Sequence, residues 1–245
     1  MKALVLCGGF GTRLGELCAV RPKPLLEVGQ LSLVEHTLLR LAAAGLHDVF
    51  VNLHFGAEQL RARLGNGFRY GVRIQYCEEK TLLGTAGTPR ALAALAGDDG
   101  LLVHYGDVLS EHPRAELARR HAASGARARI VVHERAGSNS RVLLGAHDRV
   151  ERFVERPAAG ASDDTLTSWA FSGICVLSRA CLAELPEAPA DLPRDVFPAL
   201  ALAGELFAER HVGYRCAVDS PARLESARQA WKSGALTLPS HPEVT

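Results

Sequence analysis

The sequence lacks the features that mark membrane-spanning and nucleic-acid-binding proteins. It contains no run of about 18 apolar residues, so no segment is expected to span a membrane. Its 28 lysines and arginines are nearly balanced by 27 aspartates and glutamates, and the net charge of +1 gives no basis for bulk neutralisation of a phosphate backbone. We therefore expect neither a membrane nor a nucleic acid as a partner.

Cysteine is sparse and dispersed, and the first residues carry no recognisable secretion signal. None of the six cysteines occurs in a C-x-x-C spacing, which argues against both a zinc site and a disulfide framework. The first apolar stretch breaks at Gly8-Gly9 and is too short for a signal peptide. Together these observations predict a reducing, cytoplasmic location.

Lysine is also scarce, because only four of the 28 basic residues are lysines and the other 24 are arginines. One of the four, Lys23, lies in Arg21-Pro22-Lys23-Pro24, where two prolines restrict the backbone on either side. A solvated surface lysine is the simpler interpretation of such a residue. The rigid frame and the rarity of lysine favour a functional ammonium group instead.

What the sequence does contain is a regular alternation of strand-like and helix-like segments. With 245 residues, 47% of them hydrophobic, the chain is large enough for one domain, which we expect over residues 1–235, followed by a flexible tail at 236–245. Strands are predicted at Lys2–Cys7, Asp48–Leu53, Val72–Cys77, Leu101–Tyr105, Arg129–Val132, Val142–Ala146, Trp169–Leu177 and Tyr214–Val218. Helices are predicted at Ser32–Ala44, Ala57–Leu64, Thr88–Leu95, Pro113–Ala123, Pro193–Ala203 and Pro221–Trp231, the first with Ser32 and Glu35 as a capping box. This order predicts an α/β fold with a mostly parallel mixed sheet and a small antiparallel excursion within residues 129–177.

The strongest local pattern is the glycine-rich segment Gly8-Gly9-Phe10-Gly11-Thr12-Arg13-Leu14, directly after the first predicted strand. Glycines at the carboxyl end of a strand let backbone N–H groups approach an anion. A dinucleotide-binding fingerprint would need glycine or alanine where Leu14 stands, and a Walker loop would need Lys-Ser/Thr where Arg13 follows. The segment therefore predicts a phosphate-binding turn of another kind.

The glycine-rich segment, followed by Pro22-Lys23-Pro24, resembles the signature of the sugar-1-phosphate nucleotidylyltransferases. Further matches follow in order along the chain: Glu79-x-x-x-Leu83-Gly84-Thr85-Ala86-Gly87, Gly106-Asp107-Val108, Phe153-Val154-Glu155-Arg156-Pro157 and Ser172-Gly173-Ile174-x-Val176-Leu177. The chain is most similar to the short guanylyltransferases for heptose-type or mannose 1-phosphates, and next to the uridylyltransferases for N-acetylmuramate 1-phosphate. The resemblance implies a Rossmann-like three-layer domain.

The implied reaction is attack of a sugar 1-phosphate on the α-phosphorus of a nucleoside triphosphate, with release of pyrophosphate. The attacking phosphate is already ionised, so the protein must neutralise and align two polyanions rather than supply a base or a nucleophile. The resemblance implies that Arg13 and Lys23 face the phosphates. It implies that Gly8, Gly9, Gly11, Thr12, Glu79, Gly84 and Thr85 contact the nucleotide.

The resemblance also implies a Mg²⁺ ion held by carboxylates. Asp107 follows an apolar strand and a glycine, and it matches the first metal ligand of the family. Relatives have Asp-x-Gly-x-Pro near the C-terminus, and Ala217 stands where their second ligand would be, with Asp219 on the glycine position. Positions two apart share a face of a strand, so Asp219 could replace that ligand after a shift of about 6.6 Å. Otherwise Asp107 binds the metal with substrate phosphates and water.

The sugar side of the site is implied by the remaining motifs. Glu155 would accept hydrogen bonds from sugar hydroxyls, and Arg156 would bind the sugar phosphate where relatives have lysine. Ser172 and Gly173 would border the sugar pocket. The leading prediction is transfer of GMP from GTP to a heptose-type or longer aldose 1-phosphate, or to mannose 1-phosphate. Glu79 could accept hydrogen bonds from guanine, but uracil and thymine also present a donor, so uridylyl and thymidylyl transfer remain alternatives.

Two other classes of function remain in view. A catalytically weakened, nucleotide-sugar-binding regulatory relative is suggested by the missing aspartate at position 217. A glycosyltransferase is disfavoured because Gly106-Asp107-Val108 lacks a paired Asp-x-Asp. The sequence leaves open which sugar is used and whether the protein forms a homo-oligomer.

Overall fold

The computed structural model describes residues 1–11, 14–19, 21–135, 140–156 and 169–239. Contacts divide the chain into two compact units. The glycine-loop unit comprises Lys2–Leu82, His104–Ala115 and the chain from Val212 onward, and the antiparallel unit comprises Leu83–Val103 and Glu116–His211, together with Met1. The expectation of one domain over residues 1–235 stays a prediction.

The glycine-loop unit is built on three parallel strands: β1 (Lys2–Leu6), β4 (Asp48–Leu53) and β5 (Arg73–Glu78). The first two contain the apolar runs Ala3–Leu6 and Val49–Val51, typical of strands that are buried on both faces, and Leu4 and Val51 are fully buried. Because the strands are parallel, their carboxyl ends lie at one edge of the unit, where the glycine turn begins. The other elements of this unit are α1 (Glu16–Ala19), β2 (Glu27–Val28), β3 (Leu31–Ser32), α2 (Leu33–Ala43), α3 (Ala57–Leu64), β7 (Val108–Ser110), β13 (Arg215–Ala217) and α9 (Pro221–Lys232).

Helix α2 begins at the predicted capping box. The Ser32 N–H and hydroxyl both donate to the Glu35 carboxylate. Glu35 also accepts hydrogen bonds from Arg63 and Tyr70, and its side chain is 3% exposed. Burial alone would raise the pKa of Glu35, but these hydrogen bonds lower it to about 2.

The antiparallel unit contains β8 (Ala128–Glu134), β9 (Ser140–Leu144), β10 (Val150–Glu155), β11 (Trp169–Leu177) and β12 (Leu206–Arg210). Strand β8 pairs antiparallel with β11 and parallel with β12, and β9 pairs antiparallel with β10. In the core of the antiparallel unit, the rings of Phe153 and Phe171 pack edge-on against the ring of Phe197. Its helices are α4 (Gly84–Ala91), α5 (Ala93–Ala96), α7 (Arg179–Glu184) and α8 (Phe197–Leu202). Strand β6 (Leu101–Tyr105) and helix α6 (Arg114–Ser124) include residues of both units.

The predicted α/β class, with a mostly parallel mixed sheet and small antiparallel additions, is confirmed. Five of the described strands, β2, β3, β7, β10 and β12, were not predicted. The first three are only two or three residues long, and charged residues interrupt the apolar patterns of β10 and β12. The helix predicted at Thr88–Leu95 begins earlier, at Gly84, where Ala86 and Gly87 donate their N–H groups to the carbonyl of Ala190. Among the described residues, no helix is both long and apolar enough to cross a membrane.

Leu236 and Thr237, the first two residues of the segment predicted as a flexible tail, make defined contacts within the glycine-loop unit. Leu236 is 2% exposed within an apolar cluster of the glycine-loop unit. The Thr237 N–H and hydroxyl donate to Glu111, and its carbonyl accepts from Arg40. Residues 240–245 of the predicted tail lie outside the described part of the chain.

Candidate nucleotide and phosphate site

The glycine turn lies at the carboxyl end of β1, as the sequence predicts. Gly11 has a φ of +66°, and a Cβ there would lie 2.9 Å from the sulfur of Cys18, so only glycine fits without strain. A Cβ on Gly8 would lie 2.9 Å from the Asn52 Nδ2 atom, whereas Gly9 faces open space. Thr12 and Arg13 lie outside the described residues, so their expected roles remain predictions.

Lys23 is presented by a short 3₁₀ helix, Lys23–Leu25, that begins after Pro22. The Leu25 N–H donates to the Pro22 carbonyl, which fixes this turn locally. The side chain of Lys23 is only 14% exposed, and its ammonium forms an ion pair with the carboxylate of Asp107. The structure therefore brings together a predicted phosphate-binding cation and a predicted metal ligand.

Asp107 is positioned by a close approach of two chain segments at the end of β6. The Gly106 N–H donates to the Leu6 carbonyl, and a Cβ on Gly106 would lie 2.7 Å from that oxygen. Strand β7 then pairs antiparallel with β13, with Val108 opposite Ala217, and the Val218 N–H donates to the Asp107 carbonyl. This pairing carries the C-terminal segment to the backbone of Asp107.

The position of Asp219 follows from the same pairing. Ala217 ends β13 and offers no ligand atom on its side chain, whereas Asp219 lies two residues further on with its side chain 31% exposed. The Asp219 carboxylate lies 3.4 Å from the guanidinium of Arg223, on the first turn of α9. Each of the two candidate metal ligands therefore faces a cationic side chain.

Cys7, which precedes the glycine turn, is unsuited to act as a nucleophile. Its side chain is 1% exposed, and burial raises the pKa of its thiol well above the usual range, with a smaller contribution from the negative charge of Asp107. The thiol therefore stays protonated near neutral pH and packs as a small apolar residue.

Gly84 and Thr85, in the antiparallel unit, are anchored by a residue that the sequence did not single out. The Thr85 N–H and hydroxyl both donate to the Asp191 carboxylate, over 3.2 and 3.1 Å, and the Thr85 hydroxyl accepts from the Leu192 N–H. Gly84 begins α4 on the same segment. Asp191 is distant in sequence, and only its place before a short helical turn (Leu192–Val196) could have suggested a capping role.

The residues predicted to bind the sugar also lie in the antiparallel unit. Glu155 ends β10 with its side chain 19% exposed, and Arg156 follows with a positive φ of +48°, unusual for a non-glycine residue. Burial raises the pKa of Glu155; the neighbouring charge of Arg156 lowers it, and that of Asp191 raises it. Ser172 and Gly173 lie where the pairing of β11 with β8 shifts register.

Ser172 does not face open space, although the sequence placed it at the border of a pocket. Its side chain is fully buried, and its hydroxyl lies 3.1 Å from the His133 Nδ1 atom. Gly173 has a φ of +83°, consistent with the irregular register of the strand. A role of Ser172 in shaping the strand is compatible with these contacts, and its expected contact with a sugar remains a prediction.

Comparison with known proteins agrees with this fold and these motifs. The family model described as Nucleotidyl transferase matches residues 2–210, and the chain therefore belongs to the nucleotidyl transferase family. The chain is 36% identical to a mannose-1-phosphate guanyltransferase from Schizosaccharomyces pombe over 90% of its own length and 61% of that protein. It is 32% identical to the mannose-1-phosphate guanylyltransferase catalytic subunit beta from Xenopus tropicalis, over 90% of this chain and 62% of that one.

The chain thus spans about three fifths of the length of these curated relatives. A solved structure from Bacillus anthracis, provisionally named a glucose-1-phosphate thymidylyltransferase, superposes with a TM-score of 0.83 and covers 95% of each chain. Its sequence identity to this chain is 20%, so this likeness supports the fold alone.

Members of this family generally use a divalent metal, and the carboxylates present fit that requirement in their chemistry. Hard divalent cations bound to substrate phosphates are usually held by one or two carboxylates together with water. Asp107 and Asp219 are two partly exposed carboxylates on joined segments. Within the described ranges, no group of three or more potential ligand side chains is present.

Proposed function

We propose that this protein transfers GMP from GTP to a sugar 1-phosphate, mannose or a heptose-type sugar, and releases pyrophosphate. The names of the most similar relatives and their identity to this chain support guanylyl transfer. The observation that carries the proposal is the ion pair between Lys23 and Asp107 in the same unit as the glycine turn. Transfer of a nucleotidyl group from a triphosphate to a sugar 1-phosphate requires a cation that binds phosphate and a carboxylate that binds a metal ion.

The transferring group is bound by charge and by backbone donors rather than by a covalent intermediate. The N–H groups of Gly8, Gly9 and Gly11 would face the phosphates, with Thr12 and Arg13 continuing the turn. Lys23 would neutralise the phosphates, and its rigid prolines limit the entropy lost on binding. Because the attacking phosphate is already ionised, no general base is needed.

Asp107 and Asp219 would hold the metal, which we propose is Mg²⁺. When bound, Mg²⁺ would neutralise negative charge on the phosphates during transfer. Lys23 contacts one carboxylate oxygen of Asp107 and Arg223 contacts one of Asp219, so each carboxylate keeps a second oxygen for the metal. An incoming phosphate would offer the Lys23 ammonium a further anionic partner.

The antiparallel unit would supply recognition of the sugar. Glu155 would accept hydrogen bonds from sugar hydroxyls, and Arg156 would pair with the sugar phosphate. Gly84 and Thr85 would contact the nucleotide through backbone held by Asp191. The same proposal places the enzyme in the cytoplasm, where nucleoside triphosphates are available, with no nucleic-acid or membrane partner.

The test is a matrix of GTP, UTP, dTTP, ATP and CTP against mannose, heptose and N-acetylmuramate 1-phosphates, with release of pyrophosphate measured in the presence of Mg²⁺. We expect turnover with GTP and mannose or heptose 1-phosphate. Turnover only with UTP or dTTP would replace guanylyl transfer with the corresponding uridylyl or thymidylyl transfer. Release of a nucleoside diphosphate instead of pyrophosphate would indicate a glycosyltransferase.

One observation favours a second candidate, a regulatory relative that binds a nucleotide sugar without making it. Ala217 stands where relatives have a ligand, and Arg223 faces the nearest carboxylate, Asp219. Calorimetric binding of GDP-mannose, combined with no pyrophosphate release in any cell of the matrix, would support this candidate over the transferase.

A further inference from the structure

A buried polar network next to the glycine turn connects Cys7, directly after β1, with Asn52 on β4 and Glu79, directly after β5. The Asn52 Oδ1 atom accepts a hydrogen bond from the Cys7 N–H over 2.6 Å, and its Nδ2 atom donates to the Glu79 carboxylate over 2.9 Å. Asn52 is 4% exposed and Glu79 is 6% exposed. Buried groups of this kind hold a defined geometry, because breaking one bond leaves a desolvated polar atom.

Asn52 contacts the turn at two successive residues. It accepts from the backbone of Cys7, and its Nδ2 atom lies so close to Gly8 that a Cβ there would approach within 2.9 Å. The turn residue Gly8 thus packs directly against the amide group of Asn52. Any displacement of that amide moves the backbone from which the first N–H groups of the turn project.

Glu79 determines which way the Asn52 amide faces. A carboxylate only accepts hydrogen bonds, so it requires the NH₂ side of the amide and leaves the oxygen for the Cys7 N–H. The reversed orientation would set two acceptors against each other at Glu79 and two donors at Cys7. Glu79 therefore fixes an orientation that Asn52 by itself could lose.

The same residue supports the turn through a second contact. The backbone carbonyl of Glu79 lies 2.8 Å from the His54 Nδ1 atom. His54, two residues after Asn52, meets the ring of Phe10 edge-on, with the ring centroids 5.2 Å apart. Glu79 thus contacts both Asn52, which packs against Gly8 of the turn, and His54, which packs against Phe10.

From this network we propose that Asn52 and Glu79 are positioning residues for the phosphate-binding turn, and that Glu79 acts on the turn through Asn52. This inference rests on the proposed function, since it assigns the turn to the nucleoside triphosphate. It gives Glu79 a positioning role beside the guanine contact expected from the sequence.

The first test is amide hydrogen exchange, measured by NMR on the protein without substrates. In Asn52→Ala and Glu79→Leu, we expect protection of the Cys7 amide to fall by about tenfold or more, because its acceptor is removed or misaligned. In the control Glu78→Gln, an exposed neighbour on β5, protection should be unchanged. Unchanged protection in both network variants would overturn the inference, whether or not the protein proves to be a nucleotidylyltransferase.

The second test exchanges the side-chain amide of Asn52 and the carboxylate of Glu79. In Asn52→Asp, two carboxylates face each other, and we expect the KM for GTP to rise about tenfold with little change in the KM for the sugar phosphate. The double variant Asn52→Asp/Glu79→Gln restores one donor and one acceptor, keeps the net charge, and still presents an acceptor to Cys7. It should recover to within about threefold of the parent protein.

The double variant also separates positioning from base recognition. A double variant as impaired as Asn52→Asp would contradict the proposed coupling. A changed preference between GTP and UTP in Glu79→Gln, together with unchanged protection of the Cys7 amide in Glu79→Leu, would show that Glu79 acts on the base alone and would overturn the inference. Absence of turnover in the parent protein would refute the proposed function while leaving the exchange experiment to decide on the network.

Discussion

The ammonium of Lys23 pairs with the carboxylate of Asp107, 84 residues further along the chain. Both side chains are partly sheltered from water, with 14% and 31% of their surfaces exposed. In the protein without substrates, the two charges neutralise each other. In the proposed reaction, the ammonium would bind phosphate and the carboxylate would bind the metal.

Replacing Lys23 by alanine should lower kcat by about 10²–10³-fold, because it removes a cation aimed at the charge that develops during transfer. The measurement is release of pyrophosphate from GTP with the best sugar phosphate. Lys232→Ala, at the exposed end of α9, is the matched control and should leave turnover unchanged. Retention of most of the turnover in Lys23→Ala would remove this residue from the mechanism.

Placing a carboxylate at position 217, where the family resemblance implies the second metal ligand, should strengthen metal binding. We expect Ala217→Asp to lower the concentration of Mg²⁺ needed for half-maximal turnover by about tenfold, since a second or third ligand oxygen is added near Asp107. Asp219→Asn should raise that concentration by a similar factor if Asp219 serves as the ligand. Glu225→Gln, an exposed carboxylate on α9, controls for a general effect of negative charge. No response to either change at 217 or 219 would mean that Asp107 is the metal's sole protein ligand among the three positions.

Glu35 should make the protein sensitive to acid. Its pKa of about 2 in the folded protein lies below the ordinary value of 4.5, so its contribution to stability is fully present above about pH 5 and is lost as the pH falls toward 2. The shift corresponds to about 3 kcal/mol. Urea unfolding between pH 7 and 3 should therefore show a smaller loss of unfolding free energy in Glu35→Gln, which starts from a lower value at pH 7. The exposed Glu58→Gln is the comparison, and equal slopes in the two variants would contradict this assignment.

Asp191 should support Thr85 and also influence Glu155. Asp191→Ala removes the acceptor of two Thr85 hydrogen bonds, and we expect a loss of about 1–3 kcal/mol in unfolding free energy together with weaker nucleotide binding. Asp191→Asn retains an acceptor but removes the negative charge, so the pKa of Glu155 should fall, as read from an NMR titration of its carboxyl carbon. The exposed Glu187→Gln should change neither quantity. An unchanged Glu155 pKa in Asp191→Asn would show that the two carboxylates do not interact.

Much of the fold follows from patterns that are local in sequence. The strand at Asp48–Leu53 and the helix at Ala57–Leu64 have the predicted bounds, because apolar periodicity and turn residues act over a few positions. The Ser32–Glu35 capping box is equally local. Local patterns do not predict strands such as Leu206–Arg210. This strand is defined by its pairing with a strand that is distant in sequence.

By itself, the sequence determined the order of strands and helices, the glycine turn after β1, and the stiff frame around Lys23, since backbone preferences and residue spacing are written into short segments. Only the tertiary structure decided that Lys23 meets Asp107, that Asn52 packs on Gly8, and that Asp191 holds Thr85. These contacts join residues 44 to 106 positions apart, and their geometry depends on how whole strands pair and pack. Spacing along the chain cannot supply that information, because many packings share the same order of elements.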